Sequence, residues 1–143
     1  MRSGWTSTPD ASGRNSRNSK GPASVVEFDL PYPPSVNHYF RMVGRRVLIS
    51  REGRAFRRRV CSILAALGVR PLSGRLALEI EVYPPDNRRR DVDNVLKSTL
   101  DALQHGGAYR DDSQVVRLAI EKRQPVAGGR TLVRIGPLER DPT

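Results

Sequence analysis

The sequence is poor in cysteine, tryptophan, histidine and lysine: 143 residues include one, one, two and three of these, and aromatic side chains make up 6%. A single cysteine, Cys61, rules out an internal disulfide and leaves nothing for a cysteine-based zinc site. No apolar run approaches the roughly 18 residues of a membrane-spanning helix. The first residues lack the apolar stretch of a secretory signal. The expectation is a cytoplasmic protein with no membrane partner. Acid is scarce as well: 15 Asp and Glu stand against 25 Lys and Arg, giving a net charge of +10. Because lysine is so rare, 22 of those bases are arginine. Arginine's planar fork binds phosphate in bidentate fashion, although a GC-rich genome produces the same bias without a functional cause. The charge balance points to a polyanionic partner, nucleic acid ahead of an anionic membrane.

The length suits one domain with a modest core. Residues 1–22 are dominated by Ser, Gly, Asn, Pro and Arg, with Trp5 the only bulky side chain. They cannot bury enough apolar area to offset the cost of ordering the backbone, so a disordered basic tail is expected. Residues 23–138 read as the folded domain and 139–143 as a C-terminal tail. Val26, Phe28 and Leu30 alternate as in a strand. Tyr39–Met42 and Val47–Ile49 suit a hairpin turning around Gly44. Ser50 can cap a helix over Arg51–Leu67, whose apolar stripe is Phe56, Val60, Ile63, Leu64 and Leu67, and Gly68 stops it. Strict alternation predicts a strand over Leu76–Tyr83. A second helix is expected from about Val92 to His105, burying Val92, Leu96, Leu100 and Leu103. Val116, Leu118 and Ile120 alternate in a further strand, and a Gly128-Gly129 turn leads to a last one at Thr131–Ile135. The sum is a small α/β domain of α+β character: a mixed or antiparallel sheet of four or more strands with two main helices.

Six of the fifteen acidic residues fall within one short stretch, and all six are aspartate: Asp86, Asp91, Asp93, Asp101, Asp111 and Asp112. Aspartate is a short, stiff oxygen ligand, and hard divalent cations such as Mg²⁺ bind through a few such carboxylates plus waters. A nuclease uses this arrangement to polarise a phosphodiester and form hydroxide. Asp91 and Asp93 sit where the Arg88-Arg89-Arg90 loop enters the second helix, at the positive end of its dipole. Lys97 lies one turn further on the same face, and Asp101 one turn beyond that. Asp111 and Asp112 follow the Gly106-Gly107 turn, on a loop short enough to carry one of them back to the helix N-terminus. Taken singly, these residues are equally a helix cap, an i,i+4 ion pair and turn formers. The combined spacing D-x-D-N-x-x-K followed by D-D-x-Q-V requires several such coincidences at once.

The stretches Arg88-Arg-Arg-Asp-Val-Asp-Asn-Val-Leu-Lys97, Asp101-Ala-Leu-Gln-His105 and Asp111-Asp-Ser-Gln-Val-Val116 resemble the signature of the RusA family of Holliday-junction resolvases. Leu30-Pro-Tyr-Pro-Pro-Ser-Val-Asn37 is similar to the family's N-terminal strand and turn, and Gly128-Gly129-Arg130 to its late hairpin. The resemblance covers about residues 25–137. It implies that Asp91, Asp93 and Asp112 are catalytic and bind Mg²⁺, with Mn²⁺ able to substitute, and that Lys97 is needed for catalysis. It further implies a homodimer, often prophage-encoded, that nicks opposing strands of a four-way junction without an organic cofactor. The N-terminal tail departs from the family pattern.

Arg41, Arg45, Arg46, Arg51, Arg54, Arg57, Arg58 and Arg59 form a basic stretch with Glu52 its only acid. Arg45, Arg46, Arg54, Arg57 and Arg58, together with Arg88, Arg89 and Arg90, are candidates for contacts to the DNA backbone; the alternative is a solvated helix face. Arg88–Arg90 would hold anionic DNA beside carboxylates that otherwise repel it. Asn37 and Asp111 are further candidates near the site, each equally explained as a turn residue. Tyr109 could stack on an unpaired base or pack in the core. His38 and His105 have no ligand-like spacing, and Cys61 reads as a small core residue. Two rival functions compete with a junction endonuclease. A non-catalytic basic nucleic-acid-binding module explains the charge but not the aspartates, and a nucleotide-directed phosphoryl-transfer enzyme explains the aspartates but not the arginines.

Overall fold

The computed structural model describes residues 25–138; the tails expected at 1–22 and 139–143 lie outside the described residues. Elements follow in the order β1 (Val26–Leu30), α1 (Val36–Tyr39), β2 (Phe40–Val43), β3 (Arg46–Ile49), α2 (Arg51–Leu67), β4 (Leu76–Tyr83), α3 (Asp93–His105), a 3₁₀ turn (Asp112–Gln114), β5 (Val115–Lys122) and β6 (Arg130–Pro137). Four strands form a mixed sheet in the order β1-β6-β4-β5, with β4 and β5 parallel and the other pairs antiparallel. The β2–β3 pair is a separate two-stranded ribbon. Glycines 128 and 129 do turn the chain at positive φ, but β5 and β6 are not neighbours, because β4 lies between them. The expected late hairpin is therefore a crossing connection.

The pleat divides the sheet into two chemistries. Phe28, Val133 and Ile80 sit side by side in register, as do Leu30, Thr131 and Val82, and all are buried. Phe56, Val60 and Leu64 of α2 join the same core, as do Val95, Ala102 and Leu103 of α3. The opposite face is an ionic lattice: Arg134 bonds to Glu27, Glu79 and Glu81, and Arg130 to Asp29. Burial alone would raise the Glu81 carboxyl, but Arg134, Tyr83 and Arg123 all donate to it and together hold it below its ordinary range. Edge strand β5 covers less than its alternation suggested: Val116 and Leu118 are exposed, and Ile120 alone of the three is partly buried.

Ser50 caps α2 as its sequence position implies, its Oγ accepting the Gly53 N–H at 2.9 Å, and Gly68 at φ 72° ends the helix. Leu67, expected in the buried stripe, is 58% exposed at the last turn. In α3 the buried face is rotated from the expected one. Val95, Ser98, Thr99, Ala102 and Leu103 face inward, while Val92, Leu96 and Leu100 lie half-buried on its flank. Small residues let the helix approach its neighbours closely. Their hydroxyls stay satisfied, Ser98 donating to the Pro34 carbonyl and Thr99 to that of Val95, each at 2.7 Å.

The ribbon meets α2 at Gly53, where an added Cβ would stand 2.4 Å from the Tyr39 carbonyl oxygen and 2.8 Å from an Ile49 methyl carbon. Gly53→Ala should therefore destabilise the domain by about 1–3 kcal/mol, despite alanine's better helix propensity. Urea unfolding checks this; a midpoint equal to the parent's would show that α1 and the ribbon do not seat against that turn.

Candidate nucleic-acid and metal site

Pro84 and Pro85 end β4 and begin the arginine loop. Asp86 organises that loop: its Oδ1 accepts the Arg88 N–H and the Arg90 guanidinium. The Arg90 side chain, first, and the Arg88 N–H, second, pull the Asp86 carboxyl down to about 2. Arg90 also lies over the Tyr32 ring at 5.9 Å. Tyr32 in turn packs where Gly129, at φ 73°, has no side chain; a Cβ there would be 2.7 Å from it. Lys122 Nζ donates to the Arg90 carbonyl at 2.9 Å, tying β5 to the residue just before Asp91. Arg90, expected to contact DNA, is thus folded inward, whereas Arg88 and Arg89 are exposed.

Helix α3 starts at Asp93 with Val92 at its N-cap and no side-chain cap, so neither Asp91 nor Asp93 is spent on capping. Both are exposed. Lys97 stands one turn on, its Nζ 5.8 Å from the Phe40 ring centroid, and it forms no ion pair with Asp93 among the described residues. The next acid on this side, Asp101, is committed. It accepts from the Tyr39 hydroxyl and from two nitrogens of Arg57, at 3.1 and 2.8 Å. Burial, and then the bond to Asp101, push the Tyr39 phenol well above its ordinary value. Arg57 is therefore a strut between α2 and α3. Arg45, Arg46, Arg54 and Arg58 remain exposed, although Arg54 also donates to the Ile49 carbonyl.

At the far end of α3, Asp111 caps the 3₁₀ turn in a reciprocal box with Gln114. The Ser113 backbone N–H lowers its carboxyl. Asp112 is placed by its own N–H, which donates to Gln104 Oε1 at 2.9 Å. Tyr109 is buried and its hydroxyl donates to the Leu100 carbonyl at 2.8 Å, so it is a core residue and not a base-stacking one. Its phenol is raised by burial first and by the nearby Asp112 carboxylate second. His38 bonds locally to Ser35, and Cys61 donates weakly to the His105 carbonyl.

The six aspartates thus divide in half. Asp86, Asp101 and Asp111 are bound to protein donors, while the carboxylates of Asp91, Asp93 and Asp112 take no hydrogen bond or ion pair among the described residues. The D-x-D and D-D spacing marked four of the six, of which Asp111 is bound; the free three are the set that the family resemblance implied. It does not gather in one chain: no three His, Cys, Asp or Glu side chains among the described residues come close enough to hold a metal ion. Eleven residues, about 16 Å of helix axis, separate Asp93 from the Gln104 that holds Asp112. The short loop does not carry Asp112 back to the helix start.

The sequence profile of the family described as endodeoxyribonuclease RusA matches residues 31–136. The chain belongs to the RusA family. It is 40% identical over 114 residues to the crossover junction endodeoxyribonuclease of Enterobacteria phage HK97, covering 79% of this chain and 95% of that one. It is 42% identical over 109 residues to the proteins of the same name from Escherichia coli K12 and Enterobacteria phage 82, covering 75% of this chain and 90% of each. The RusA match ends inside β6 and spans every element of the site, while all of residues 1–22, the basic N-terminal extension, lie outside it. What the sequence missed is the Arg57–Asp101–Tyr39 strut, since the three residues come from three separate elements with no shared spacing.

Two outcomes test this placement. Carboxyl NMR should find Asp86 titrating near 2. Its folded-state value is depressed, so the Arg90 contact is intact above the ordinary carboxylate range and is lost as pH falls toward 2; an ordinary value of 3.8 would contradict the loop geometry. Arg57→Ala should cost about 1–3 kcal/mol of stability, because it strands a part-buried carboxylate. Exposed Arg58→Ala should leave stability within about 0.5 kcal/mol of the parent. Equal urea midpoints for the two variants would return Arg57 to the DNA-binding set.

Proposed function

We propose that this chain is a magnesium-dependent endodeoxyribonuclease that resolves four-way DNA junctions as a homodimer in the cytoplasm. The observation that carries the reading is the division of the aspartates: three are tied up by the fold, and three form no hydrogen bond or ion pair among the described residues, with Lys97 one helical turn from Asp93. An unused carboxylate in a strongly basic protein weakens affinity for DNA, so a purely binding module has no use for three of them. Asp91, Asp93 and Asp112 fit a hard divalent cation in type and charge. Such an ion, when bound, polarises the scissile phosphodiester and supplies hydroxide near neutral pH. Lys97 meets the phosphate from the same helix face and balances charge as it builds on the reacting oxygens. Arg88 and Arg89, exposed before Asp91, hold the DNA strand against this acidic patch, with Arg45, Arg46, Arg54 and Arg58 contacting phosphates further along.

The separation of the free carboxylates along α3 is what makes a second copy part of the reading. Asp93, Lys97 and Gln104 lie within about 40° of one another around the helix, so both ends of one face carry ligands. A two-fold axis reverses that face and brings Asp112 of one copy toward Asp91 and Asp93 of the other. Two such sites on one symmetric particle match the two strands that must be cut to resolve a junction.

The test is cleavage of labelled four-way junction, linear duplex and free nucleotide, each with EDTA, Mg²⁺ or Mn²⁺. Junction cutting that requires the metal is expected. Asp93→Asn keeps size and fold, so single-turnover cleavage should fall by orders of magnitude while junction affinity in Ca²⁺ holds or rises. Lys97→Ala should lose cleavage without the gain in affinity. Parent-rate cleavage by Asp93→Asn would move the basic binding module ahead.

A further inference from the structure

The β2–β3 ribbon is the least satisfied part of the described surface. It pairs with no strand of the main sheet, and Met42 and Val47, opposed in register, are 67% and 61% exposed. The side carrying Phe40, Met42 and Val47 forms with α1 and α3 an open pocket of about 670 Å³, which Val36, Asn37 and Lys97 also line. That volume is in the range of small-ligand sites, roughly 300–1,000 Å³. The charges around it that are not taken up by an ion pair are positive. Arg41 and Lys97 stand on its wall, and Arg45 and Arg46 flank the ribbon turn. Asp101 also reaches the pocket, but its carboxylate is occupied by Arg57 and Tyr39.

We propose that this pocket receives one unstacked nucleobase from the exchange point of the junction. This rests on the nuclease reading and adds to it a determinant of structural selectivity. Apolar floor, amide and cations correspond to the three parts of the ligand. Met42, Val47 and Phe40 offer the apolar surface on which a base face rests. Asn37, exposed on α1, carries both a donor and an acceptor for a base edge. Lys97 and Arg41 face the flanking phosphates. The alternative occupant, the same ribbon of a second copy, would bring arginines against arginines across a two-fold axis, which disfavours it. Continuous duplex keeps its bases stacked and releases one only by breaking its stacking and pairing, whereas a strand exchange point is already a break in stacking. The pocket therefore accepts the branched substrate more readily than a linear one. Lys97 lies on both the pocket wall and the face of Asp93, so a captured base fixes the adjoining phosphate beside the acids.

A junction carrying 2-aminopurine at the exchange point, bound to the full chain in Ca²⁺, reads this directly. Emission should rise on binding, and a second junction with the probe well inside one arm should stay dark. Met42→Glu places a carboxylate on the apolar floor at an exposed position that the fold does not depend on. It should abolish the rise and weaken junction binding about tenfold, the loss expected for one base stack, with linear-duplex affinity changed far less. Met42→Leu should behave as the parent. An exchange-point probe that stays dark while the parent binds and cuts the junction would overturn the proposal. So would Met42→Glu matching the parent, or light scattering that shows the variant dissociating to monomer, which would assign the ribbon to a second copy. A parent chain that neither binds nor cuts junctions would instead remove the nuclease reading on which the proposal rests.

Discussion

Asp101 holds a charge where water reaches it only in part, and two donors from other elements meet it there. Arg57 comes from α2 and Tyr39 from the end of α1, and each also bonds to the other. With one interaction the fold fixes three things: the crossing of α2 and α3, the seat of α1, and the root of the ribbon that leaves from Phe40. Lys97 lies one helical turn from Asp101, so the face of α3 that carries Asp93 and Lys97 is oriented by this same contact. A network of this kind contributes more when complete than the sum of its pairs, and leaves a costly orphan when one member goes.

The second constraint is electrostatic. A protein of net charge +10 that acts on DNA gains from every cation and loses from every bare carboxylate. The chain resolves this by neutralising the acids it uses structurally. Asp86 is answered by Arg90, Asp101 by Arg57, and the sheet's outer glutamates by Arg134 and Arg123. Among the described residues, Asp91, Asp93 and Asp112 are left without such an answer, and outside this aspartate cluster so is Glu52 in the first turn of α2. Arg90 shows why a basic run cannot be counted as uniform: the middle of the loop faces solvent, while its last arginine braces the backbone that presents Asp91.

Much of this was legible in the sequence where a local rule dictates the outcome. Ser50 and Gly68 bound α2 because capping is a matter of one or two residues, and alternation marked β4 because a central strand is buried on one face throughout. The D-x-D and D-D spacing marked Asp91, Asp93, Asp111 and Asp112; the fold binds Asp111, and the remaining three are those the family resemblance implied. What failed depended on partners distant in sequence. The buried side of α3 was assigned to its largest apolar residues, but close packing there selected Ser98, Thr99 and Ala102. Tyr109 and Arg57 carry groups suited to DNA and were absorbed by the core and by Asp101. The Gly128-Gly129 turn is real, yet local turn chemistry could not say that β4 would stand between β5 and β6.

The separation of Asp112 from Asp91 and Asp93 along α3 gives the central claim its sharpest form, a site completed by a second copy. Subunit mixing decides it. Asp93→Asn and Asp112→Asn chains, each inactive alone, are mixed and allowed to exchange, and nicking of labelled junction is followed in Mg²⁺. If ligands are shared across a two-fold axis, the mixed dimer holds one doubly substituted site and one intact site. Single-strand nicking should then return in up to half of the particles. If each chain builds its own site, both sites of the mixed dimer stay defective, and a mixture as inactive as its components would contradict the account.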